Sequence, residues 1–307
     1  MTPGCEPDYL ERILAAVAAR FTAAPAATDT LATGLPWLDL IRRRHAAPAG
    51  HGILQPSACL LLQGAKQLLV GERLLAYGPG TYVQSGIAVP AAGAIIEASA
   101  ERPYYALRIG LDPVEMAAFL LEMRMAPPAA REDALLVTVE PAGAHLLEAL
   151  LRLMDTLERP RDLPVLGRLL RQEILYHLLM APGGAVLAQG LHGSRRERAV
   201  GQAIAWIRDH YDQPLRIAAL AQAVNLSPSV LHRRFKAATV MSPLQYQKQV
   251  RLLEARKLLM GGKAEAASIA YRVGYESPSH FSREYRRLFG ATPMQDARQL
   301  RGDGGEP

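Results

Sequence analysis

Cysteine is nearly absent: Cys5 and Cys59 are the only two in 307 residues. Two thiols cannot build a disulfide framework or a sulfur metal cage, and both are expected to be buried and idle. No run approaches the ~18 consecutive apolar residues of a membrane helix, so no membrane partner is expected. Acidic Glu6, Asp8 and Glu11 stand where a secretory leader would be basic, so no signal peptide is expected and the cytoplasm is the expected compartment. From residue 52 to 144 there is no histidine, which removes the usual imidazole ligands from the strand-rich segment described below. A GxSxG elbow, a P-loop and an HExxH helix are missing too. No catalytic residue, metal or cofactor is therefore predicted, and an enzyme is not expected.

Half of the residues are apolar and charge is moderate, which excludes a largely disordered chain. The length suggests two domains, each able to bury a core. Charge divides unevenly between them. Residues 193–307 hold 19 Lys+Arg against 10 Asp+Glu, whereas residues 1–192 hold 16 against 19. The basic excess belongs to the last third, and on charge alone it fits either a polyanion partner such as DNA, bound there with steep salt dependence, or a solvated basic face.

Residues 7–22 read as a helix, with Leu10, Ile13, Leu14 and Val17 at helical spacing. From about 51 to 110 short apolar runs alternate with Gly64, Gly71, Gly78, Gly80 and Gly86, the pattern of antiparallel strands in a small sandwich or barrel. Helices are expected over 113–124, 142–157 and 163–180. The apolar stripes of the last two, Leu146, Leu147, Leu150 and Leu151 with Leu166, Leu169, Leu170 and Ile174, either pack on the barrel or form a homodimer surface. The uncharged, Gly- and Ala-rich segment 181–193 is the expected boundary, giving domains 1–190 and 193–301. Arg42-Arg43-Arg44 reads as a solvated basic run.

The basic third repeats itself. Ser227-Pro228-Ser229 through Lys236 returns fifty residues later as Ser277-Pro278-Ser279 through Arg286. Each copy has the parts of a helix-turn-helix. A short helix (about 216–223 and 265–272) carries Ala221 or Ala270 where a second helix must come close. It ends at Asn225 or Gly274, residues that tolerate a left-handed turn. The next helix opens on a Ser cap followed by Pro. Its core residues are Leu231 and Phe235, or Phe281 and Tyr285. The opposite face presents Ser229, His232, Arg233 and Lys236, or Ser279, Ser282, Arg283 and Arg286. These eight are the predicted DNA-binding residues, since a helix of this kind fits the major groove. Between the copies, Ser242 and Gln245 cap a helix that runs to Met260. A rod of that length, about 27 Å, can hold two recognition helices near successive major grooves of one DNA face.

These residues resemble the AraC/XylS family of bacterial transcription regulators, whose paired helix-turn-helix pattern covers about 195–300. The second unit, Ile269-Ala270, Val273-Gly274-Tyr275, Ser277, Phe281, Phe289-Gly290 and Thr292-Pro293, follows the family signature. Val240 departs from it, because members commonly carry Gly there, as Gly290 does in the second copy. Gln63-Gly64-Ala65-Lys66, Tyr77-Gly78-Pro79-Gly80 and Glu97 through Tyr104 resemble the regulatory domain of one subgroup. The resemblance implies an α+β protein: a cupin-like β-barrel with flanking helices, then an all-α domain of two helix-turn-helix units joined by a long helix. It implies a sequence-specific, DNA-binding regulator or activator of transcription, with double-stranded DNA, an unknown small-molecule effector and a second copy as partners. RNA polymerase stands as a further candidate partner. A DNA binder whose N-terminal domain only dimerises, and a barrel enzyme with a DNA-binding appendage, are the alternatives. Tyr82, Tyr104 and Tyr105 are candidate lining or core residues of the barrel.

Overall fold

The computed structural model describes residues 9–25, 27–123, 137–188, 195–261 and 265–301; Cys5 lies outside them. Helix α1 (Tyr9–Ala23) buries Ile13, Val17 and Phe21 along one stripe. Ten strands follow: β1 (Thr30–Ala32), β2 (Leu38–Arg43), β3 (Ala47–Leu54), β4 (Ser57–Gln63), β5 (Ala65–Val70), β6 (Arg73–Tyr77), β7 (Thr81–Ser85), β8 (Val89–Glu97), β9 (Tyr104–Gly110) and, after helix α2 (Pro113–Met123), β10 (Val137–Pro141). They form two antiparallel sheets, ordered β1-β2-β9-β4-β7-β10 and β3-β8-β5-β6, which face each other as a flattened barrel.

The strands begin before residue 51, earlier than the sequence pattern predicts. The Ala47–Gly52 half of β3 has no apolar alternation; it is held by pairing with β8, Gly50 opposite Gly93 and Gly52 opposite Ala91. Arg42 corrects a second expectation. It is not solvated but buried on β2, its guanidinium 4.7 Å from the Phe21 ring centroid and donating to the Thr28 carbonyl at 2.9 Å.

Alternation along the strands sorts the side chains. Ala58, Leu60 and Leu62 of β4 and Tyr105, Leu107 and Ile109 of β9 face outward against α1 and the helices after β10. Cys59, Leu61, Tyr104 and Ala106 face into the barrel. Of the three candidate lining tyrosines, only Tyr104 therefore points inward; Tyr82 and Tyr105 pack under the helices. Burial pushes the Cys59 thiol above its usual range, which leaves it unreactive. The subgroup motifs are joined in space: Gln63 Nε2 donates to the Pro103 carbonyl at 2.7 Å. Gly64, at φ +90°, passes so close to the Glu97 carbonyl that a Cβ would lie 2.5 Å from it.

Helix α3 (Ala144–Leu157) is followed by a π-helical turn, Leu163–Gly167, that runs into α4 (Arg168–Met180) and then α5 (Gly184–Ala188). Most of the α3 and α4 stripes, including Leu146, Leu150, Leu151, Leu170 and Ile174, are buried in the outer core. Val165, Leu166, Leu169 and Tyr176 remain exposed. The rest is helical: α6 (Arg195–Asp209), α7 (Ile217–Ala223), α8 (Pro228–Thr239), α9 (Pro243–Met260), α10 (Ala266–Arg272), α11 (Pro278–Phe289) and α12 (Pro293–Arg301). A buried cluster runs from the barrel interior to α6–α9, and another gathers α10–α12 around the end of α9. Among the described residues no helix is long and apolar enough to cross a membrane.

Candidate nucleic-acid interface

Both helix-turn-helix units are built from the same local bonds. In the first, the Leu226 amide donates to Ala221 O at 2.9 Å and the Asn225 amide to Gln222 O at 3.1 Å; in the second, Tyr275 donates to Ala270 O at 2.9 Å and Gly274 to Tyr271 O at 3.0 Å. This is the paired C-terminal closure that a left-handed residue allows, and Asn225 (φ 55°) and Gly274 (φ 89°) supply it. Ser227 Oγ accepts from the Val230 amide and Ser277 Oγ from the His280 amide, both at 3.4 Å, with Pro at the first helical position each time. The first turn of each helix is thereby held by local bonds.

The same registration orients the two faces. Leu231 and Phe235 of α8, and Phe281 and Tyr285 of α11, are fully buried. Ser229, His232, Arg233 and Lys236 are exposed on α8; Ser279, Arg283 and Arg286 are exposed on α11, with Ser282 half-buried beside them. All eight predicted residues thus lie on polar faces, four to a helix. No described acidic side chain pairs with Arg233, Lys236, Arg283 or Arg286 within salt-bridge distance.

Both helices end in the left-handed region, at Val240 (φ 60°) and Gly290 (φ 79°). The departure at Val240 therefore keeps the family turn. A β-branched residue reaches that conformation only under strain. The next helix, α9, starts in a reciprocal cap: the Ser242 amide donates to Gln245 Oε1 at 2.9 Å, and the Gln245 amide to Ser242 Oγ at 3.2 Å. It is buried on several sides by Tyr246, Val250, Leu252, Leu253, Ala255 and Leu259, as a central helix must be.

Sequence reading missed the polar residues that hold this arrangement. Glu284 on α11 accepts from Lys248 Nζ at 2.7 Å and from the Tyr275 hydroxyl at 3.3 Å. Burial alone would raise its carboxyl; Lys248, His280 and the Tyr275 hydroxyl outweigh burial and hold it below the usual value. Arg256 makes a two-pronged pair with Asp296 at 2.8 and 2.9 Å, and Tyr285 donates to the same carboxylate at 2.7 Å. Burial, and then Asp296, push the Tyr285 phenol well above its ordinary range. Arg251 ties α9 to two backbone segments. The signal for Lys248, Arg251 and Arg256 was charge recurring among the apolar positions of α9.

The barrel touches both units. The Tyr246 hydroxyl of α9 donates to the Ala88 carbonyl at 2.7 Å, and His51 of β3 meets the Phe289 ring edge-on with centroids 5.5 Å apart.

A family model described as the AraC-type transcriptional regulator N-terminus matches residues 34–186, and a helix-turn-helix domain model matches residues 220–299. The HTH-type transcriptional activator RhaS of Escherichia coli is 33% identical over 148 residues, 48% of this chain and 51% of RhaS. The chain thus spans about half the length of the curated relatives it matches. Among solved structures, ToxT from Vibrio cholerae O395 bound to (E)-4-(8-methylnaphthalen-1-yl)but-3-enoic acid has a TM-score of 0.56 at 11% identity, over 86% of this chain and 98% of ToxT. Wild-type ToxT of strain SCE256 with a bound unsaturated fatty acid gives 0.53 at 10% identity, over 88% and 97%. At these identities the likeness is one of fold.

Proposed function

The chain belongs to the AraC-type transcriptional regulators, and from that premise we propose that it regulates transcription by placing α8 and α11 in successive major grooves of double-stranded DNA. One observation carries this reading: two helices with the same caps and turns present matched polar and basic faces whose Arg233, Lys236, Arg283 and Arg286 have no acidic partner among the described residues. Arg233 and Arg283 read base edges, Lys236 and Arg286 neutralise phosphates, and Ser229, His232, Ser279 and Ser282 complete the two faces. The working division is 1–190 for regulation and 193–301 for DNA. The family is one of regulators rather than enzymes, and RhaS, its relative, is a transcriptional activator; activation through RNA polymerase in the cytoplasm is the corresponding reading here.

Control is assigned to a small molecule held inside the barrel. ToxT, of the same fold, is described with a bound fatty acid. In this chain the Tyr77 hydroxyl faces the buried interior without a hydrogen-bond partner among the described residues. A buried hydroxyl left unmade costs about 1–3 kcal/mol, which a ligand's polar atom would remove. Homodimerisation is assigned to the exposed outer face of the Leu163–Gly167 turn and α4, since the apolar stripe of α3 is largely buried in the core. Selection of the full chain on randomised duplex DNA tests the central claim. Enrichment of a two-part site, lost steeply as salt rises, is expected; recovery of no consensus overturns it.

A further inference from the structure

We propose that Arg251 is a positioning residue that fixes the angle and separation of the two recognition helices, and thereby selects the base-pair spacing between the two halves of the DNA site. The inference rests on the reading of α8 and α11 as DNA-reading helices.

Arg251 sits near the middle of α9, and its guanidinium reaches backbone in two separate parts of the chain. Nε donates to Tyr211 O at 2.6 Å and Nη2 to Gln213 O at 2.9 Å, both in the loop that leads into the first unit. Nη1 donates to Gly274 O at 2.7 Å, in the turn of the second unit. Gln247, one turn earlier on α9, adds a bond from Nε2 to Gln213 O at 2.7 Å. The two segments also touch directly: a Cβ on Gly274 would lie 2.1 Å from the Asp212 carbonyl oxygen. Glycine is thus required there for close approach as well as for its positive φ.

The apolar contacts of Leu252, Ala255 and Leu259 hold the second unit on α9, but burial of this kind is non-directional. The three guanidinium bonds are directional, and a planar fork is organised before they form. Their acceptors are backbone carbonyls, so they register the chain frames of the two units rather than side chains that can rotate away. A lysine, with a single compact ammonium, cannot span three carbonyls in two segments.

The consequence is a reader of fixed pitch. DNA turns once in about 10–10.5 base pairs, so moving one half-site by a single pair shifts it along the axis and rotates it by about a tenth of a turn. A rigid pair of helices cannot follow both changes and loses base contacts; a loosened pair can follow.

The test uses the full chain, its Arg251→Met and Arg251→Lys variants, and the selected duplex with its spacer shortened or lengthened by one or two base pairs. The unmodified chain is expected to lose about tenfold in affinity per displaced pair, the size of a typical base-pair mismatch. Arg251→Met should lose less than about threefold, while its affinity for a duplex with only one half-site stays within about twofold of the unmodified chain. Arg251→Lys should fall between them, and it is read on the same two axes if the methionine variant melts too low to assay. A spacing profile unchanged in both variants overturns the inference. So does a loss on the single half-site as large as that on the full site, which marks a merely structural role. If the unmodified chain selects no two-part site, the DNA reading itself falls, a distinct result.

Discussion

Val240 and Gly71 meet where the barrel touches the first helix-turn-helix unit. Gly71 opens the two-residue turn between β5 and β6, and a Cβ built on it would lie 2.7 Å from Val240 Cβ. Both residues have positive φ, 58° and 60°. A valine in the left-handed region is held there only when its surroundings leave no alternative. On one side Val240 is fixed by its amide bond to Lys236 O at 2.8 Å; on the other it is covered by the glycine turn. The end of the first recognition helix is therefore shaped in part by the barrel.

Gly71→Ala should separate the two. The added methyl overpacks a full site, at about 1–3 kcal/mol, and alanine at positive φ adds strain. Val240→Gly should cost less, because relief of its own strain offsets lost packing. The informative quantity is the double variant: removing the Val240 side chain makes room for the methyl, so the two changes should couple by at least 0.5 kcal/mol, roughly the threshold for residues in contact. Denaturant midpoints of the four proteins measure this. Additive effects would show that the contact is not made in solution.

A second contact between barrel and helices gives a pH dependence. His51 lies against Phe289, and burial first, then the positive charge of Arg256, lower its pKa, while Asp296 opposes the shift. The folded protein thus holds His51 neutral at pH values where the unfolded chain, at about 6.5, takes up a proton. The stabilisation is complete above that value and is lost as pH falls through the window toward the lowered folded pKa. Between pH 7.5 and 5 the melting temperature of the unmodified protein should fall more than that of His51→Phe, which keeps a ring and cannot titrate. His177, also lowered by burial, contributes equally to both proteins and cancels. Parallel curves would remove His51 from the account.

The parts of the fold that were legible in the sequence are those whose cause is local. Ser227-Pro228 and Ser277-Pro278 fix helix starts through bonds three residues long, and Asn225 and Gly274 fix turns through their own conformational freedom. The first half of β3 was not legible, because its pairing with β8 replaces the alternation it lacks. Arg42 was misread because Phe21, on which it stacks, lies on another element. Arg251 and Tyr246 were invisible for the same reason: their acceptors lie 23 to 158 residues away. The recognition faces were readable as patterns. What orients them is tertiary.

The outer face of α4 gives a prediction about assembly. Leu166, in the turn before α4, and Leu169 are 36% and 50% exposed and wall a cleft of ≈ 250 Å³ whose rim carries Arg152, Asp155, Arg159 and Glu173. Apolar side chains left open on one face, beside a charged rim, suit a second copy of the same surface. Leu169→Glu should leave the melting temperature of the monomer nearly unchanged, since exposed substitutions typically stay within about 0.5 kcal/mol. It should also reduce the mass seen by sedimentation at tens of micromolar from dimer to monomer. An unmodified protein that is already monomeric there would rule this surface out.

The two arginines at corresponding positions of the recognition helices give the sharpest test of the DNA reading. Arg233 and Arg283 each stand two positions before the buried aromatic residue, exposed on the polar face. From that position a guanidinium can make two parallel bonds to a guanine edge, worth about 1–3 kcal/mol of discrimination. Lys236 and Arg286 lie one turn further along, and on the proposed reading they contact phosphate rather than a base edge. The two classes leave different traces in a selection over randomised sites. Arg233→Ala and Arg283→Ala should each blur base preference in a different half of the site, with the halves about one helical turn apart. Lys236→Ala and Arg286→Ala should instead weaken all sequences alike and make the slope of log affinity against log salt shallower by about one unit. If Arg233→Ala or Arg283→Ala lowers affinity uniformly and keeps the base preferences of the unmodified chain, that arginine is a phosphate clamp and its helix reads the groove through other residues.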